Sequence, residues 1–247
     1  MKNNRHLTII IFLVFSCFCL ALEAESAQSI MEKNDAVPEG DSYRKSMVLL
    51  VIKSGQTEKK EFITLGKEYD RSWRKSSQFT FPSRMGFLVW DEPGKDSQQW
   101  IKLTSGKVRR IATSEKDNPW MNSHFYNQDI SRNYIEDYDY TLLGEEMVAE
   151  QECYKIKAVK IRGEQVYSHS IVYIGKNDYL KYRVEFYERG LHTKTLEFSN
   201  YETIQGIPTS RKLTMTRTDG RGRSILYTKE AAYNIPVDDR ALTREAF

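Results

Sequence analysis

Residues 180–215 read LKYRVEFYERGLHTKTLEFSNYETIQGIPTSRKLTM. In the opening nine, Leu180, Tyr182, Val184 and Phe186 alternate with Lys181, Arg183 and Glu185. Successive side chains of a strand point to opposite sides, so an apolar residue at every second position predicts a strand with one buried face. TKTLEFSNY continues the pattern with Leu196 and Phe198 inward and Thr195 and Glu197 outward, and RKLTMTRT places Leu213 and Met215 on one face. Arg189-Gly190 and Gly206-Ile207-Pro208 punctuate these runs with turn chemistry. The stretch therefore predicts an antiparallel meander.

The same grammar extends in both directions. SHSIVYIG, SILYTKEA and QQWIKLTSG alternate similarly, with turns at Gly175–Asp178 and Asp219–Gly222, so about five strands follow Glu152. Nearer the N-terminus, MVLLVIKSGQTEKKEFITLG predicts a hairpin bending at Lys53-Ser54-Gly55-Gln56. FPSRMGFLVWDEPGKDSQQWIKLTSGKVRRI predicts three more strands, with turns at Asp91–Asp96 and Ser105-Gly106. Two helical pieces are expected, Ala27 to Lys33 and Gln128 to Asp137, the second because Ile130 and Tyr134 share a face at i, i+4. There is no internal repeat, low-complexity tract or linker. The reading is one mainly β domain over residues 25–247, on a single large antiparallel sheet of about ten or eleven strands. Either that sheet closes around its side chains, or it leaves an apolar hollow for a ligand.

The N-terminus addresses the compartment. Lys2 and Arg5 precede an apolar run from Leu7 to Leu22 with small residues after it, the pattern of a secretory signal peptide. The run is short for a spanning helix, which needs about 20 residues. Cleavage after Ala24 fits best, with Ala27 as the alternative; lipidation at Cys17 and an uncleaved anchor rank lower. Residues 1–24 carry two basic and one acidic residue, so the formal charge of +3 falls to +2. That weak charge argues against a nucleic-acid binder, which shows a strongly basic face. Cys153 is the one cysteine outside the leader, and its strand-like setting reads as packing rather than as a reactive thiol.

Few residues suggest chemistry. His124, His169 and His192 lie at no metal-ligand spacing, and Glu136, Asp137 and Asp139 lack the glycine-centred loop of a calcium site. No nucleophile elbow, phosphate-binding glycine loop or dinucleotide fingerprint is present. Ser123-His124 is the one adjacent pair that invites inspection. No cofactor or metal is expected, and catalysis has no positive signal.

Read in order, WIKLTSGKVRRI, MNSHFYNQDIS, DYDYTLLGEE, ECYKIKAV, the meander quoted above and AAYNIPVDDRALTREAF resemble the periplasmic outer-membrane lipoprotein-sorting proteins, the LolA-like superfamily. The match spans nearly the whole chain after the leader. Asn122 and His124 depart from the family's usual Gly and Asp, and Asn127 stands where an acidic residue is common. The resemblance implies a highly curved half-barrel of about eleven strands with short helices over its concave side. It also implies a non-enzymatic, monomeric periplasmic carrier of lipid or lipoprotein acyl chains, working with an inner-membrane lipid exporter or an outer-membrane acceptor. A signalling or assembly module on the same fold is the alternative, and a lipid hydrolase ranks third. The expected cavity lining is Trp90, Trp100, Tyr182, Val184, Phe186, Leu196, Phe198, Leu213 and Met215. Trp120, Met121 and Phe125 are expected in a lid formed by Ala112 to Phe125.

Overall fold

The computed structural model describes residues 25–163, 165–245 and 247; the expected signal peptide lies outside them. Among the described residues an α-helix, α1 (Ala27–Asp35), comes first, its first turn capped by the Ser26 hydroxyl accepting from the Ser29 amide at 3.1 Å. Six strands follow: β1 (Ser42–Lys53), β2 (Gln56–Tyr69), β3 (Ser72–Phe81), β4 (Met85–Asp91), β5 (Gln98–Lys102) and β6 (Val108–Arg110). After an irregular connection come β7 (Tyr138–Val148), β8 (Gln151–Lys160), β9 (His169–Gly175), β10 (Lys181–Glu188), β11 (Leu191–Ile204), β12 (Ile207–Arg217) and β13 (Arg223–Tyr233). All thirteen form one antiparallel sheet in the order β6-β5-β4-β3-β2-β1-β13-β12-β11-β10-β9-β8-β7. The expected class is thus observed, with more strands than expected and open edges at β6 and β7. Strand β3 has no counterpart in the sequence reading.

Two meanders are joined down the middle by β1 and β13. Their tightest hairpins use two-residue turns with positive φ at both central positions: Ser54-Gly55, Asp70-Arg71, Ala149-Glu150, Arg189-Gly190 and Gln205-Gly206. That conformation matches the natural twist of paired strands.

The expected helix at Gln128–Asp137 is corrected. Two separate 3-10 turns, Gln128–Ile130 and Ile135–Asp137, occupy the region, with extended backbone at Ser131 and Tyr134 between them. Tertiary bonds override the i, i+4 pattern: the Arg132 amide donates to Asp91 Oδ2 at 3.0 Å, and the Tyr134 hydroxyl to the Asp91 carbonyl at 3.0 Å. These pull the backbone out of any continuous helix.

The inner face of the sheet holds two apolar clusters. One combines Met47, Leu49, Phe62, Phe79, Phe87 and Met215 with Trp120 and Phe125. The other packs Ala27, Ile30 and Met31 of α1 on Ile156, Val172 and Val184. At Gly222 (φ +122°) an added Cβ would lie 2.1 Å from the Ile52 carbonyl oxygen, whereas Gly220 (φ +74°) has open space. Both substitutions put an L side chain at positive φ, further from the left-handed well at Gly222 than at Gly220, and Gly222 adds the collision with the Ile52 carbonyl. Gly222→Ala should destabilise the protein by about 2 kcal/mol more than Gly220→Ala, read from urea unfolding midpoints.

Candidate functional site

Strands β6 and β7 lie at opposite edges of the sheet, and the connection 111–137 between them packs on its inner face. At one end the connection is sunk deep. The Trp120 ring packs against Phe62, Phe79 and Phe87 with centroids 5.7–5.9 Å away, and Phe125 is equally buried. Between these anchors the chain doubles back tightly: the Trp120 amide donates to the Phe125 carbonyl at 2.8 Å, and Met121 and Asn122 take positive φ. Met121 is partly buried against the same cluster. The three expected lid residues therefore form a packed plug.

Toward the other end the connection rides higher, and a cavity of about 400 Å³ opens between it, α1 and the sheet. Val184, Phe186, Leu196, Phe198 and Leu213 line it, as do Trp120 and Phe125 from the plug. Met47, Phe62, Val172 and Leu226, absent from the sequence-based set, also line it.

Four expected lining residues lie elsewhere. Trp90 and Trp100 are on the outer face, packed with Leu88 and Phe247 beneath the C-terminal segment. Their centroids are 4.8 Å apart, and the Trp90 indole donates to the Leu242 carbonyl at 2.9 Å. Because β4 is buried on both faces, apolar character there does not report which face looks inward. Tyr182 is also outside, beside Cys153 and Tyr173, with its hydroxyl donating to Asp178 Oδ2 at 2.7 Å. The cause is a bulge: Lys181 pairs with Ile174 but Arg183 with Tyr173, leaving Tyr182 as the extra residue. The bulge turns Lys181 into the cavity. Met215 does face inward, but it is fully buried under the plug as packed core.

The plug is tied down by polar contacts that sequence reasoning missed. Lys194 on β11 is fully buried, its Nζ 3.2 Å from Asp129 Oδ2, 3.4 Å from the His124 carbonyl and 3.2 Å from the Tyr126 ring centroid. Asp129 also accepts from the Tyr126 amide at 2.7 Å and the Tyr167 hydroxyl at 2.6 Å. Burial pushes the Lys194 ammonium pKa down against the pull of Asp129, and burial followed by the Asp129 charge pushes the Tyr167 phenol well up. A signal for Lys194 existed, since it is in phase with the inward Leu196 and Phe198.

Ser123 and His124 are structural in this arrangement. The Ser123 hydroxyl donates to the Trp120 carbonyl at 2.6 Å and accepts from the Phe125 amide at 3.1 Å. His124 is buried, with its backbone amide donating to Ser224 Oγ at 3.0 Å and Nδ1 2.8 Å from the same oxygen. The two side chains thus use different partners. Burial, with Lys53 next in weight, lowers the His124 pKa. Cys153 is buried too, and burial raises its thiol to about 11.

An open antiparallel sheet wrapped around a hollow is the LolA-type half-barrel, and solved structures carry the same fold. A DUF1329 family protein from Desulfovibrio piger superposes with a TM-score of 0.86 at 24% identity, covering 89% of this chain and 97% of its own. A domain from Vibrio parahaemolyticus described as outer membrane lipoprotein-sorting gives 0.84 at 22%, covering 89% and 97%. A LolA superfamily protein from Nitrosomonas europaea gives 0.73 at 19%, covering 91% and 100%. A family profile described only as an uncharacterized protein matches residues 74–247, so the chain belongs to that family, LolA-like in its fold. A search of curated proteins finds no match.

Two outcomes follow from the plug contacts. Lys194→Met leaves a buried carboxylate without its cation and should cost about 3–5 kcal/mol in urea unfolding. Lys194→Met combined with Asp129→Asn should recover part of that loss. For His124, the folded pKa lies below the unfolded value near 6.5. The unfolded chain therefore binds the proton first, and folding stability falls as pH drops through about 6.5 until the folded imidazole also protonates. His124→Asn should show a smaller loss of stability between about pH 7 and 5 than the wild type, measured by urea midpoints across that range.

Proposed function

We propose that the chain is a non-enzymatic carrier that holds the acyl chain of a lipid or lipoprotein in the cavity beneath the 111–137 connection. The signal-peptide-like N-terminus supports a site of action in the periplasm, between an inner-membrane donor and the outer membrane. The observation that carries the reading is the hollow itself. Its volume of about 400 Å³ falls within the roughly 300–1,000 Å³ of small-molecule sites. Each methylene buried from water contributes about 0.8 kcal/mol, so an apolar floor supplies affinity without any reactive group. Among the described residues, no helix is long and apolar enough to cross a membrane.

Lipid extraction and native mass spectrometry of gently purified protein test the reading; protein that neither retains nor exchanges any acyl lipid would refute it. A pair of substitutions separates hollow from core. Phe198 lines the cavity and is partly buried, whereas Met215 is fully enclosed. Phe198→Trp should cut acyl-chain binding by at least about tenfold while shifting the urea midpoint little. Met215→Trp should instead destabilise the fold by about 1–3 kcal/mol, the usual consequence of overpacking.

A further inference from the structure

The cavity wall is unevenly charged, and this bears on which amphiphile the proposed carrier would hold. Four lysines line it, Lys45, Lys75, Lys160 and Lys181, against two carboxylates, Asp35 and Asp129. Both carboxylates have cations outside the lining: Asp129 pairs with Lys194 at 3.2 Å, and Asp35 lies 3.9 Å from Arg132. Lys45, Lys75 and Lys181 are not neutralised in the same way. Lys75 Nζ donates to the Ile130 carbonyl, and Lys45 Nζ sits 4.4 Å and 4.9 Å from the Tyr43 and Tyr233 ring centroids. Among the described residues, Lys45, Lys75 and Lys181 make no ion pair.

Lys45 and Lys75 neighbour each other from β1 and β3, with Lys181 on β10 elsewhere in the lining, so these lysines are not the solvated face of one strand. Around Lys45 and Lys75 the wall is polar: Thr64 stands opposite Lys45 across β1 and β2, and Ser77 stands opposite Thr64 across β2 and β3. Asn133 and Ser131 face the same space from the connection. Burial lowers the pKa of both Lys75 and Lys181; Asp91 opposes the shift at Lys75, where the neighbouring Lys45 adds to it, and Glu39 and Asp35 oppose it at Lys181. An ammonium in a confined wall with no carboxylate in direct contact is costly, and an arriving anion relieves that cost.

Resting on the carrier reading above, the geometry points to an anionic acyl amphiphile as the ligand, its carboxylate or phosphate head group at the neighbouring Lys45 and Lys75 and its chain on the apolar floor. The floor gives affinity that depends on chain length, and the lysines fix which end points where. Charge-assisted hydrogen bonds to carboxylate or phosphate oxygens are stronger than neutral ones.

Titration calorimetry of the purified protein with palmitate, hexadecyl phosphate, hexadecanol and inorganic phosphate tests this. The two anionic amphiphiles should bind at least about tenfold more tightly than hexadecanol, a difference set by one or two charge-assisted bonds. Inorganic phosphate alone should bind far more weakly than hexadecyl phosphate. Lys45→Gln with Lys75→Gln should bring both anions to about the level of hexadecanol, and Lys75→Gln alone should reduce the preference in part. Thermal melting checks that each variant is folded. Equal binding of all three chains by wild type, or a preference that survives in the folded double variant, overturns the head-group assignment while leaving the acyl carrier intact. Inorganic phosphate binding as tightly as hexadecyl phosphate would make the site a plain anion site and also overturn it. Binding of no chain at all would refute the carrier reading, and the head-group assignment with it.

Discussion

The chain leaves the sheet at Arg110 on one edge and rejoins it at Tyr138 on the other, with β1 and β13 between. That topology requires residues 111–137 to run from edge to edge, and their packing against the inner face makes them its roof. The sequence then sets the height of the roof at each point. Trp120 and Phe125 sink one end until it becomes core, while Ile130 and Ile135 hang over the other end without filling it. A plugged end and a hollow end are thus two consequences of one crossing.

A roof of irregular backbone carries polar groups that a regular element would satisfy internally, and buried polar groups need partners. Side chains from the sheet and from the connection itself provide them. The Gln99 amide donates to the Asn127 carbonyl at 2.8 Å and to Ser131 Oγ at 2.9 Å, Lys75 reaches the Ile130 carbonyl, and Asn127 Nδ2 donates to the Glu115 carbonyl at 2.9 Å. The Lys194–Asp129 pair belongs to this set. Such a pair contributes little net stability compared with apolar packing, since desolvating two charges offsets their attraction. Its effect is positional, because shifting the connection along the sheet would strand both charges.

These facts explain which parts of the structure the sequence disclosed. Strands with an apolar inner face and glycine turns, such as Lys181–Glu188 followed by Arg189-Gly190, are legible from period and punctuation alone. Strand β3 was not, because its inner residues include Lys75 and Ser77 along the polar wall of the cavity, which erases the alternation. The turns at Asp70-Arg71 and Ala149-Glu150 contain no glycine, so nothing in their composition announced positive φ. The bulge at Tyr182 inverted one side chain within an otherwise faithful pattern. Leu213 and Met215 share a face on one strand, yet one lines the hollow and the other lies under the plug. Periodicity assigns a face, and only the roof decides whether that face meets space or side chains.

The polar wall itself rests on a glycine and a ring. Tyr43, Gly66 and Lys75 form one row across β1, β2 and β3, and an added Cβ at Gly66 would fall 2.3 Å from the Tyr43 ring. The missing side chain lets Tyr43 lie over the backbone of β2, where it stacks on Trp73 and meets the Lys45 ammonium. Burial raises the Tyr43 phenol pKa, so the ring stays neutral. A neutral ring holds a cation through its quadrupole at about 0.5–2 kcal/mol without cancelling the charge. A carboxylate at that position would hold Lys45 as firmly but would consume its positive field. The aromatic contact restrains the ammonium and leaves its full charge directed at the cavity.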